Sequence, residues 1–261
     1  MPLQMQKFCL RMLKMKNNVI VLFHGFSTDK HDFDPIIPYL EKQYDDVICE
    51  NLPGHDVKGL NGFTCEATMK YVDDLMHKLE NEYEQIDVMG FSMGGAIATY
   101  VASNFKVNKV VLLAPANVYL NALYPFVRAK KFAQYVSAIL DKKIKKKEDL
   151  AILDGREEIT VDDKEVAVVM KQYILPNYNI RTINQFVKVV RFCNEHLQEF
   201  DNPTLVIMGE VDQLVPKRSN EFLSKYCKQK ITITFKNISH MMLRSKGNKR
   251  IIDQVMKFLN H

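Results

Sequence analysis

The stretch "IDVMGFSMGGAIATYVAS", residues 86–103, sets a strand-like apolar run against a helix-like run, with Gly90, Ser92, Gly94 and Gly95 at the joint. Gly90-Phe91-Ser92-Met93-Gly94 fits G-x-S-x-G, a pattern with a steric demand behind it. A serine on a sharp strand-to-helix turn sits in strained backbone, so the residues two positions to either side must lack side chains to avoid collision. Five letters alone are a weak signal, because small residues coincide often. The context is stronger: an apolar strand ends at Gly90, a helix begins at Met93, and Gly95 lets that helix approach the sheet closely. Ser92 is the candidate nucleophile, with Gly90 and Gly94 as its elbow. The competing reading is a glycine turn with no chemistry.

The surrounding pattern repeats that strand-to-helix unit. "NVIVLFHG", 18–25, is a continuous apolar run ended by glycine, as in a strand buried on both faces. "DKHDFDPIIPYLEKQY" supplies a helix whose start Pro35 and Pro38 blur, and "DDVICENLPG" returns as a strand closed by Pro-Gly. Residues 64–83 place Met69, Val72, Leu75, Met76 and Leu79 at helical spacing, and "NKVVLLAPA", 108–116, is the strand after the glycine-rich helix. Alternation of this kind requires crossover connections, hence an α/β fold with a mostly parallel sheet and helices on both faces.

From about 117 to 201 the alternation stops. Three helically periodic segments follow one another, broken at "DGREEIT" and "LPNYN", before "PTLVIMGEVD", "KRSNEFLSKYC", "KITITFKNISH" and a last helix resume the pattern. The division is therefore a core of 1–116 and 202–261 with a helical lid of 117–201. An insertion between strands emerges at one end of an open sheet, which is also where ligands bind. Tyr124, Phe126, Phe132, Met170 and Tyr173 are the lid candidates for contact with a substrate. The basic run "KKIKKKED", 142–149, reads as a solvated helix end before it reads as an anion-attracting surface.

A serine hydroxyl needs a general base, and the base an orienting acid. Asp212 lies just past one strand in "GEVDQLVP", and His240 just past the next in "NISHMML", at the same end of the sheet as Ser92. The order serine, acid, histidine is the one this arrangement uses. Glu210 competes with Asp212 as the acid. His31, His77, His196 and His261 lack the order or the location for the base. The developing oxyanion needs two donors, assigned to the backbone N–H groups of Met93, at a helix N-terminus, and of Phe26, in the loop after the first strong strand. His24 reads as a structural hydrogen-bonding histidine.

"HGF" at 24–26, "NLPGH" at 51–55, "GFSMGG" at 90–95, "GEVDQLVP" at 209–216 and "SH" at 239–240 together span nearly the whole chain. In that order they make the chain similar to the α/β-hydrolase superfamily, and within it to lidded carboxylesterases and monoacylglycerol-lipase-like serine hydrolases. The resemblance implies hydrolysis of an acyl ester or related acyl compound through an acyl-serine, with no metal or organic cofactor. Many relatives carry Asp where this chain has Glu50 or Asn51, and Gly where it has Ser239; neither position performs chemistry. The part before Val19 is short for the strands that usually open the sheet.

The 261 residues are 47% hydrophobic, enough for a sizeable core, and the net charge of +5 is too small to argue for nucleic acid. Five scattered cysteines never form a C-x-x-C pair, so neither a disulfide framework nor a zinc site is expected. Basic residues interrupt the N-terminal apolar run, and no run is long enough to span a membrane, so a cytoplasmic protein without stable membrane insertion is expected. The expected function is a carboxylic-ester hydrolase for short or medium acyl chains, monoacylglycerols among them. Thioester, C–C and peptide substrates remain open, since the same triad serves them all. The different class is a small-molecule binding protein on a hydrolase scaffold. Oligomeric state is left open.

Overall fold

The computed structural model describes residues 16–56, 59–119, 180–212 and 214–260. Among the described residues six strands form one sheet: β1 (Lys16–Phe23), β2 (Asp46–Ile48), β5 (Tyr83–Phe91), β6 (Val110–Leu113), β7 (Thr204–Gly209) and β8 (Lys230–Phe235). Their spatial order is β2-β1-β5-β6-β7-β8, and every pairing is parallel. A separate antiparallel pair, β3 (His55–Asp56) and β4 (Gly59–Leu60), follows β2. The central strands are buried on both faces, which is why β6, Val-Val-Leu-Leu, reads as an unbroken apolar run.

Helices fill the connections: α1 (Ile37–Leu40), α2 (Cys65–Glu82), α3 (Met93–Asn104), α4 (Ile180–Glu195), α5 (Lys217–Leu223) and α6 (Asn248–Asn260). Thr64 starts α2 by accepting from Ala67 N–H, and its Met69, Val72, Met76 and Leu79 are buried as the periodicity predicts, while Leu75 packs only partly against the core. The helix expected over the "DKHDFDPIIPYL" segment is split into a 3₁₀ turn, Lys30–Phe33, and the short α1. Pro35 has no N–H to continue the first turn, whereas Pro38 falls at the start of α1, where a missing donor is tolerated. Helix α4, the last segment of the stretch read as a lid, packs on α2 and α3 and buries Val189 and Cys193 completely. Most of that insertion, 120–179, lies outside the described residues. So do the basic run and Tyr124, Phe126, Phe132, Met170 and Tyr173.

The register aligns the carboxyl ends of the strands that matter. Phe23 faces Gly90, Phe91 faces Leu113, Leu113 faces Ile207, and Gly209 faces Phe235. From β1 the chain first moves outward to β2, then returns across β1 to β5 and proceeds the other way. The crevice between the ends of β1 and β5 is thus the topological switch point, where open α/β sheets place their ligands.

Candidate functional site

Ser92 stands at that crevice, between the end of β5 and the first residue of α3, with φ 54° and ψ −115°. A side-chain-bearing residue is strained in this region, and the turn survives because hydrogen bonds over-determine it. Ser92 N–H donates to Leu113 O at 2.9 Å, while Ser92 O accepts from Gly95 N and Ala116 N, both at 2.9 Å. The glycines are steric requirements: a Cβ on Gly90 would lie 2.1 Å from Gly94 O, one on Gly94 1.8 Å from Phe23 O, and one on Gly95 2.6 Å from Pro115 Cα.

The loops after β7 and β8 bring two more side chains to Ser92. His240 Nε2 is 2.9 Å from Ser92 Oγ, and His240 Nδ1 is 2.8 Å from Asp212 Oδ2. The other carboxylate oxygen, Asp212 Oδ1, accepts the Leu214 and Val215 N–H groups at 2.8 and 3.0 Å. With only donors around it, the carboxylate assigns the proton to Nδ1 and leaves Nε2 to accept from the serine hydroxyl. The Asp212 side chain is 1% exposed and that of His240 12%, so the relay is shielded yet open at the base. Glu210 takes another job: its Oε2 accepts Asn237 N–H at 3.3 Å, bracing the turn where Asn237 has φ 59°. Phe91 lies against the imidazole with ring centroids 5.0 Å apart.

The loop after β1 is held just as firmly. Buried His24 accepts Leu52 N–H at Nε2, 2.9 Å, and so donates from Nδ1 to Gly25 O, 2.9 Å. Carbonyl and N–H of a trans peptide point opposite ways, so holding Gly25 O turns the Phe26 N–H away from His24. Met93 opens α3, where an N–H has no acceptor within the helix. Beside this loop an aromatic wall forms: Phe26 stands 5.8 Å from Phe63 and 4.9 Å from Phe186, which is 5.0 Å from Tyr119. Phe63 and Tyr119 carry no motif. Phe186 is visible in sequence only as part of an apolar helical stripe, with nothing to connect it to Phe26.

The described cysteines sit in surroundings that disfavour a reactive thiolate. Burial pushes the thiols of Cys49, Cys65, Cys193 and Cys227 up, away from the thiolate form. Among the described residues no three His, Cys, Asp or Glu side chains gather as metal ligands, and no helix is long and apolar enough to cross a membrane.

His24 and His55 form a buried edge-to-face pair with centroids 4.8 Å apart. Burial lowers His24 to about 4, and burial together with the neighbouring His24 lowers His55 to about 3. His55 gains little in return: weak backbone contacts at Leu52 and Pro53 oppose the shift, and neither ring nitrogen has an aligned hydrogen-bond partner. Both values fall below that of an unfolded histidine, so the unfolded chain binds protons first as pH falls. The contribution of the pair to stability is fully present above about pH 6.5 and declines towards pH 4, by about 3 kcal/mol from His24 alone. The Tm should drop steeply across that window, and His55→Leu should flatten the drop; a wild-type Tm constant from pH 7 to 4.5 contradicts this.

A parallel sheet, a nucleophile-elbow turn at its switch point and later strand ends converging on that turn define the α/β-hydrolase class. Residues 14–246 match the family described as serine aminopeptidase, S33, and the chain belongs to that family. It is similar to putative esterase/lipase 2 of Mycoplasma genitalium, 23% identical over 265 residues that cover 95% of this chain and 91% of the relative. Monoacylglycerol lipase ABHD6 of Mus musculus is 21% identical over 245 residues, 88% of this chain and 72% of its own. The fold is shared with the monoacylglycerol lipase of Paleococcus ferrophilus, at a TM-score of 0.65 and 18% identity over 94% of this chain and 96% of that one.

Proposed function

We propose that this hydrolase is a serine esterase that cleaves carboxylic esters of short or medium acyl chains, monoacylglycerols among them. The observation that carries the proposal is the unbroken relay from Ser92 through His240 to Asp212, with links of 2.9 and 2.8 Å. Ser92 Oγ attacks the ester carbonyl as His240 Nε2 takes its proton, and the Phe26 and Met93 N–H groups hold the oxyanion. The imidazolium then protonates the departing alkoxide, leaving an acyl-serine. Water attacks that carbonyl, loses its proton to His240, and the acid leaves as Ser92 is reprotonated. Asp212 orients the imidazole throughout and stabilises its charged form without taking the proton. No cofactor is needed for any step.

The aromatic wall of Phe26, Phe63, Phe186 and Tyr119 favours an apolar acyl group next to the donors. The names esterase/lipase and monoacylglycerol lipase borne by the relatives point the same way. The family description favours a second reading, release of N-terminal residues from peptides by the same relay. Comparison of kcat/KM across p-nitrophenyl esters of increasing acyl length, a thioester and an aminoacyl p-nitroanilide separates the readings. Preference for an ester of short or medium chain is expected; turnover of the anilide alone would replace the esterase by a peptidase.

A further inference from the structure

Outside the relay, one buried charge joins two loops that the chemistry needs in register. Asp32, in the 3₁₀ turn after β1, is 3% exposed. Its Oδ2 accepts Gly25 N–H at 3.4 Å, one residue before the assigned oxyanion donor Phe26. Its Oδ1 lies 3.2 Å from Arg244 Nη2, a charge contact without the alignment of a hydrogen bond. Arg244 closes a second 3₁₀ turn, Met242–Arg244, that follows His240 directly: His240 O accepts Met242 N–H at 2.8 Å and Met241 O accepts Arg244 N–H at 3.1 Å. Asp29, whose side chain caps the first turn, stands 4.0 Å from the same guanidinium nitrogen.

We infer that Asp32 and Arg244 are a positioning pair that sets the oxyanion loop against the loop bearing His240. The inference rests on the serine-hydrolase reading for its kinetic consequence, though not for its geometry. Phe91 is the third surface of the joint: its ring lies against His240, and a Cβ on Gly25 would sit 3.2 Å from it. A small cavity between the two turns is lined by Asp32, Phe91, Met241, Met242, Leu243 and Arg244, while Phe33 and Met242 pack each turn on the core. The ion pair adds a directional constraint between the turns that apolar packing does not supply. Burial raises Asp32, and the Thr28 hydroxyl, the guanidinium and the Gly25 N–H oppose that rise, so loss of Arg244 removes the charge partner and favours protonation of the carboxyl or a shift of the Gly25 peptide it holds. Either response disturbs the peptide next to Phe26, while the base-bearing loop loses its anchor.

The test is a double-mutant cycle of Arg244→Met and Asp32→Asn, with Arg244→Lys as the conservative variant and p-nitrophenyl butyrate as the probe. Measurements are made well below the lowest Tm of the set. Each single variant should lower kcat by about tenfold with KM within about twofold, because alignment rather than binding is lost. The double variant should be no worse than either single, the mark of residues acting as one unit. Arg244→Lys should restore most of kcat. The low-field proton NMR signal of His240 Nδ1–H should shift or broaden in both singles, a readout that requires no substrate.

Multiplicative losses in the double variant, or unchanged kcat and unchanged NMR signal in the singles, would overturn the pair. If wild type hydrolyses no ester and accepts no fluorophosphonate, the esterase reading falls while the NMR comparison still decides the coupling.

Discussion

Ser92→Ala is expected to abolish fluorophosphonate labelling and lower kcat on the best ester by about 10⁴-fold or more, the loss seen when a member of such a relay is removed. Alanine retains the Cβ, so it inherits the φ of 54° and its cost, and the substitution removes the hydroxyl together with its bond to His240 Nε2. The Tm should therefore move by no more than a few degrees. That contrast separates loss of chemistry from loss of fold. Undiminished labelling in Ser92→Ala would place the nucleophile elsewhere, and burial disfavours the thiolates of Cys49 and Cys193 for that role.

Gly94→Ala should fail in the opposite way. Gly94 is the second residue of α3, where alanine is ordinarily at least as good a helix former, so propensity alone predicts no loss. At this position the added methyl would stand 1.8 Å from Phe23 O, and the three nearest atoms it meets, in Phe23 and His24, are all backbone. Either α3 moves off the end of β1 or the β1 loop yields, and the crevice that holds His24, Gly25 and Phe26 opens in both cases. A destabilisation of about 3–5 kcal/mol is expected, in the range of severe overpacking. Gly247→Ala is the control, because its nearest neighbour, at 3.0 Å, is the movable end of Ile238. Equal denaturation midpoints for Gly94→Ala and wild type would contradict the steric account.

Much of the fold was legible because parallel strands buried on both faces leave a simple trace: apolar runs ended by glycine or a turn, spaced by helical periods. β1, β5 and β7 appear at the positions where such runs stand, with ends shifted by up to three residues. The segment after β1 was harder, since helical periodicity carries no information on how Pro35 and Pro38 divide it. At the candidate site, the elbow was legible because its steric demand is local, and Asp212 and His240 because strand ends of one parallel sheet share an edge. The choice between Asp212 and Glu210 was not local. It depended on which carboxylate the loop after β7 turns towards the imidazole, and Glu210 instead braces Asn237.

Short-range sterics and repeating periods suffice to set the parallel α/β order, the glycine-framed serine and the strand ends from which an acid and a base could reach it. It takes the folded chain to show that His24 orients the Gly25 peptide, that Phe26 meets Phe186, and that Asp32 meets Arg244. Those partners come together through the sheet's switch of direction and the approach of separate loops at its edge. A contact created by that convergence leaves no period, spacing or motif in the chain on either side of it.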